Sequence, residues 1–138
     1  MALSFLRKPA LAATTVLLAG AALAGVAAPA HAAPSSASGY CHVSGLGGDY
    51  ICEYGEAWLT YPDGGKQVFI VGSDFGVWTR WGSGGSWYDW TSLGGVARSG
   101  VRVDGNGTWT PTISVIGNDG DRWYRHRLAS GTWTNWSK

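Results

Sequence analysis

The sequence is short of the groups from which catalytic and metal centres are made. It holds two cysteines and three histidines in 138 residues. No Gly-x-Ser-x-Gly elbow and no His-Glu-x-x-His pair occurs, which removes common signatures of serine hydrolases and zinc proteases. Glu53 and Glu56 are the nearest approach to a glycosidase pair, but residues three apart on a strand point to opposite faces. The turns at 72–76 and 117–121 are too short for calcium loops of the EF type. An aspartate capping its own turn accounts for Asp74 and Asp119. The expectation is no enzyme, no cofactor and no metal.

Long apolar runs are also missing beyond the first 28 residues, so nothing later in the chain is a membrane span. Helical periodicity is absent, and 22 glycines weigh against long helices. A basic excess is lacking as well. The formal charge of +1 rests on Arg7 and Lys8, and without them it is −1. No positive field recruits nucleic acid.

Those two basic residues precede an Ala-, Leu- and Val-rich stretch, and Ala30-His31-Ala32 fits a small-x-small cleavage site. Residues 1–32 therefore read as a signal peptide and 33–39 as a flexible leader, giving a secreted chain with no membrane contact after cleavage. An uncleaved anchor is the alternative. In an exported protein, Cys41 and Cys52 suit a disulfide closing the loop 40–54. Thiol or metal chemistry around His42 is the rival, without a second ligand pair to support it. The spacing leaves open whether the two cysteines pair within one chain.

What the chain has in abundance is tryptophan, nine residues in all, and the tryptophans repeat. Gly72, Asp74, Trp78 and Arg80 return 45 positions later as Gly117, Asp119, Trp123 and Arg125. Trp87 and Trp90 return as Trp133 and Trp136 at an offset of 46. Two copies of one unit govern the fold reading. Val68 to Val71 is a β-branched and aromatic run fit for a strand buried on both faces, and Val77 to Trp81 alternates. The expected architecture is all-β: one domain over 40–138, with repeat 1 at 55–95 and repeat 2 at 96–138. Each repeat forms an antiparallel four-stranded unit.

The run VFIVGSDFGVWTRW and the close Trp-x-x-Trp-Thr-Ser-Leu-Gly-Gly resemble blades of tectonin-type and fucose-lectin-like β-propellers. The likeness runs from about Gly55 onward, and the second copy reaches Lys138 without a Leu-Gly-Gly. It implies glycan recognition between neighbouring blades by Trp and Arg. Two blades cannot close a ring, so the units either pack as a small closed β domain or assemble with other copies as part of a propeller.

Trp78, Trp90, Trp123 and Trp136, repeated in register, are expected mainly as packing. The candidate ligand-binding residues are Arg80, Trp81, Trp87, Tyr124, Arg125 and His126. An indole offers a flat apolar face and an arginine a planar donor fork. A concavity lined by two or more of Trp81, Trp87 and Tyr124 together with Arg80 or Arg125 would favour binding. The function expected is a secreted, non-catalytic carbohydrate- or cell-surface-binding module. Its partners would be a glycan or surface polymer, or further copies of the chain. The alternative is a structural or toxin-like secreted protein with no glycan site.

Overall fold

A computed structural model of the chain describes residues 39–138. The expected signal peptide, 1–32, and the expected leader up to residue 38 lie outside the described residues. Among the described residues there are ten strands and one 3-10 turn. Strands β1 (Tyr40–Val43) and β2 (Gly47–Ile51) form a hairpin, followed by the turn Cys52–Tyr54. Cys41 and Cys52 are joined by a disulfide within the chain. Closing so short a loop stabilises by about 2–3 kcal/mol. A lone two-stranded hairpin is marginal on its own, so that link matters.

A five-stranded sheet follows: β3 (Ala57–Thr60), β4 (Lys66–Val71), β5 (Val77–Ser83), β6 (Ser86–Trp87) and β7 (Thr91–Gly94). Its order is β3-β4-β5-β6, with β7 also paired to β5. The third sheet holds β8 (Arg102–Asp104), β9 (Thr112–Ile116) and β10 (Arg122–His126), with β9 in the middle.

Local chemistry sets the central hairpins. Asp63 Oδ1 accepts the Gly65 N–H at 2.9 Å, and Asp74 Oδ1 accepts the Gly76 N–H at 2.9 Å. Both are side-chain-closed turns. Phe75 sits at φ 60 in the left-handed region, where the matching position of the second copy is Gly120 (φ 83). A β-carbon there costs energy that glycine does not. The Arg98 guanidinium lies 4.4 Å over the Phe75 ring and so holds it in place.

The repeat is visible in register. Ile70 faces Trp78 and Val68 faces Arg80 across β4–β5, as Val115 faces Trp123 and Ile113 faces Arg125 across β9–β10. Strand β4 is buried on both faces, as its composition suggested. Val68 and Ile70 pack with Val43 and Tyr50 of the N-terminal hairpin. Phe69 packs with Leu59, Tyr61 and Ile113, and Val71 with Val77, Ala97 and Val115. The five-stranded sheet is thus covered by the hairpin on one side and by the third sheet on the other.

This corrects the expected fold. The all-β class holds, but within the described residues the chain forms three separate open sheets of two, five and three strands. It does not form two four-stranded blades, nor are the sheets closed into a ring or barrel. Within the disulfide-closed stretch 40–54, β1 and β2 form a two-stranded sheet of their own and 52–54 a 3-10 turn. Between Ser86 and Gly94 the chain makes two short strands, β6 and β7, and not one continuous strand. The closing stretch 132–137 makes only the isolated bridges Arg127↔Trp133 and Tyr124↔Ser137. Thr134 spends its N–H and hydroxyl on the His126 backbone and its carbonyl on Arg125, so no regular ladder forms there.

Candidate functional site

The residues singled out from the sequence do not form one site. On β5 the side chains alternate, so Trp81 shares a face with Thr79 while Arg80 shares one with Trp78. Arg80 donates from Nε to the Tyr88 carbonyl and from Nη1 to the Leu46 carbonyl. Arg125 donates from Nε to the Thr134 carbonyl and from Nη1 to the Leu93 carbonyl at 2.7 Å. Burial presses the Arg125 pKa down. Trp81 is exposed and stacks on Tyr88 with ring centroids 3.9 Å apart. Trp87 meets Trp58 edge-on at 6.0 Å. Tyr124 and His126 lie parallel at 6.4 Å, and His126 Nδ1 bonds the Thr112 hydroxyl at 2.8 Å.

Trp81 does line a groove of about 220 Å³ with Tyr61, Gln67, Thr79, Arg127 and Trp133. Arg127 covers the Tyr61 ring at 4.6 Å. Burial raises the Tyr61 phenol's pKa, and the Arg127 charge works against that rise. Trp87 lines a different hollow, with Lys66 and the turn glycines. Neither hollow contains Arg80 or Arg125.

Why the arginines turn inward is explained by a feature the sequence reading missed. Leu46-Gly47-Gly48 is an earlier copy of Leu93-Gly94-Gly95. The Leu46 carbonyl accepts from Arg80 and from Trp90 Nε1. The Leu93 carbonyl accepts from Arg125 and from Trp136 Nε1, the latter at 2.9 Å. The glycine pairs are required here. Gly48 and Gly95 both have positive φ, and a β-carbon on Gly48 would stand 2.5 Å from the Trp90 ring. Each Arg–Trp pair therefore clamps the Leu-Gly-Gly segment that precedes it, and the tripeptide's recurrence was the available signal.

Above each clamp lies a pocket, and the two correspond position by position. The first, about 320 Å³, is lined by Gly48, Asp49, Ile70, Gly72, Ser73, Asp74, Trp78 and Trp90. The second, about 390 Å³, has Gly95, Val96, Val115, Gly117, Asn118, Asp119, Trp123 and Trp136 in the same places. The floor is the same in both: two half-buried indoles, a glycine that lets one indole lie close, and an aspartate. Trp78 Nε1 donates to Asp74 Oδ1 at 3.1 Å, and Trp123 Nε1 donates to Asp119 Oδ1 at 3.0 Å. The walls differ, with Asp49 and Ser73 against Val96 and Asn118.

The second copy carries its own cation. Lys138 Nζ lies 2.8 Å from Asp119 Oδ2, 2.5 Å from Asp121 Oδ2 and 5.0 Å over the Trp123 ring. Lys138 and the Trp123 N–H together lower the Asp119 pKa to about 2, and Asp119 in turn raises that of Lys138. A depressed carboxylate stabilises the fold above its unfolded value of 3.8, and that contribution is lost as pH falls through about 2. Replacing Lys138 by Ala should move the Asp119 midpoint upward toward 3.8, measured by carboxyl-carbon NMR titration. An unmoved midpoint would mean the ion pair does not form in solution.

Among the described residues, no three His, Cys, Asp or Glu side chains converge as a metal would require. No family model matches the chain, and no curated protein matches it. The resemblance to tectonin-type and fucose-lectin-like propellers is therefore withdrawn. The sheets are open, and no propeller family is found. The lectin assignment drawn from inter-blade sites of a closed ring goes with it.

Proposed function

We propose that the chain is a secreted, non-catalytic module that binds a cell-surface component through its two repeat-related pockets. One observation carries this reading. Most of the repeated residues are spent on internal contacts, yet the same pair of indoles and the same aspartate line an open hollow in both copies. Apolar concavities with a few fixed polar groups are the usual form of small-ligand sites. Two such sites in one chain also increase retention on a surface that repeats its ligand. The leader and the Cys41–Cys52 disulfide suit an exported protein.

The test is retention of the mature chain on intact cells or isolated envelopes. Ser73→Arg and Val96→Arg place bulk at the two rims, where both residues are exposed and line a pocket. The double variant is expected to keep the wild-type melting temperature and to lose at least about tenfold in retention, since the effect of two linked sites compounds. Undiminished retention by a folded double variant would refute the assignment of binding to these pockets.

A further inference from the structure

We infer that the first pocket, between the N-terminal hairpin and the five-stranded sheet, takes an alkylammonium group. This deepens the binding reading above and rests on it. The second copy shows the chemistry beside its pocket, on the aspartate and indole that also line it. There the Lys138 ammonium pairs with Asp119 and lies over the Trp123 ring. A cation over an indole face beside a carboxylate gains from both the ring quadrupole and the charge.

The first copy keeps two of the three groups that Lys138 meets and has no cation there; Gly76 stands in the place of Asp121. Asp74 and Trp78 replace Asp119 and Trp123, with the indole N–H again bonded to the carboxylate. In the bridging register Trp78 faces Ser92, while Tyr124 faces Ser137, so Ser92 holds the place of Lys138. Its hydroxyl is short and accepts the Gly94 N–H at 3.1 Å. Among the described residues, no lysine or arginine lines this pocket. Arg80, on the same face of β5, is committed to the Leu46 and Tyr88 carbonyls.

A second carboxylate adds to the case. Asp49 lines the first pocket, whereas Val96 stands in its place in the second. Asp49 contacts His42 across the hairpin at 2.6 Å, and both are well exposed. The first pocket therefore combines two carboxylates with two indoles, with one imidazole at its edge. A neutral ligand can only donate hydrogen bonds to those carboxylates and gains no ion pairing or cation–indole attraction. An ammonium on an aliphatic stem gains both, whether from a lysine-type primary amine or a choline-type quaternary head group.

The experiment follows the Trp78 and Trp123 indole N–H signals by NMR in the mature chain. The probes are choline, Nα-acetyl-lysine amide and 3,3-dimethylbutanol, the last being the neutral isostere of choline. One or both cations should shift Trp78 saturably while the neutral alcohol leaves it in place. A response to choline alone assigns a quaternary source, and a response to the lysine amide alone assigns a primary amine. Asp74→Asn keeps the turn cap and should weaken the cation about tenfold or more, through loss of the charge-assisted contact. Lys138→Ala should let Trp123 respond to the same cations, more weakly than Trp78 because Val96 stands in the place of Asp49. Equal shifts from the alcohol and the cations, or a Trp78 signal that ignores both cations, would overturn the inference. Such a failure with envelope retention intact removes only the ammonium assignment. Loss of both removes the binding reading too.

Discussion

Replacing Phe69 by Ala is expected to destabilise the protein by about 3–5 kcal/mol, the range for emptying an aromatic site in a packed core. Phe69 is fully buried and lies on the face of β4 turned toward the third sheet. Its ring meets Trp133 edge-on at 5.6 Å and packs with Leu59, Tyr61 and Ile113. Those neighbours come from both sheets, so collapse around the cavity would require the sheets to shift together. For a chain of this size, the melting temperature should fall by roughly 15–30 °C. Urea unfolding of the mature chain supplies the measurement, with Phe69→Leu as a control that keeps most of the volume and loses less than about 1.5 kcal/mol. A loss below that figure for Phe69→Ala would show that the sheets do not pack across β4.

The same position explains much of what could be read from sequence. Val68-Phe69-Ile70-Val71 announced a strand buried on both faces, and β4 is one. The repeat survives as the shared register of β4–β5 and β9–β10, not as the two four-stranded units expected from it. The differences between the copies were harder to interpret. Phe69 and Val77 are replaced by Ser114 and Arg122, and Arg122 Nη1 donates to Ser114 Oγ at 3.0 Å. The apolar face that seats another sheet on β4 is thus replaced by a polar pair on β9–β10. A pattern search that scores likeness passes over this exchange.

The candidate site was less legible still. Arg80 and Arg125 recur because each grips a backbone carbonyl, and recurrence alone does not separate a structural clamp from a ligand contact. Trp78, Trp90, Trp123 and Trp136 were expected as packing. They are half-buried, and each also lends one surface to a pocket. Burial and exposure of a single indole are set by what stacks against it, which the one-dimensional pattern does not contain. The first Leu-Gly-Gly was hidden because Cys41 and the hairpin around it have no counterpart in the later copies.

Arginine 125 is the clamp whose removal should be felt most widely. Its guanidinium is half-buried, reaches the Leu93 carbonyl of the middle sheet and the Thr134 carbonyl of the closing stretch, and lies 5.7 Å over the Trp136 ring. Hydrogen bonds to a charged donor contribute about 1.5–3 kcal/mol each, and a buried acceptor left empty keeps its desolvation cost. The Leu93 carbonyl retains the Trp136 N–H at 2.9 Å, which limits the loss on that side. Arg125→Ala should therefore cost about 3 kcal/mol, less than Phe69→Ala. Arg125→Lys should recover little, because one ammonium cannot span two carbonyls as a planar fork does. The matching Arg80→Ala should matter less to global unfolding, since the hairpin it grips is also held by Cys41–Cys52. Urea midpoints give the stabilities, and hydrogen exchange at Tyr124 and Ser137, whose backbones bond each other, reports the closing stretch. A stable Arg125→Ala with unchanged exchange there would return that arginine to the list of residues free to meet a ligand.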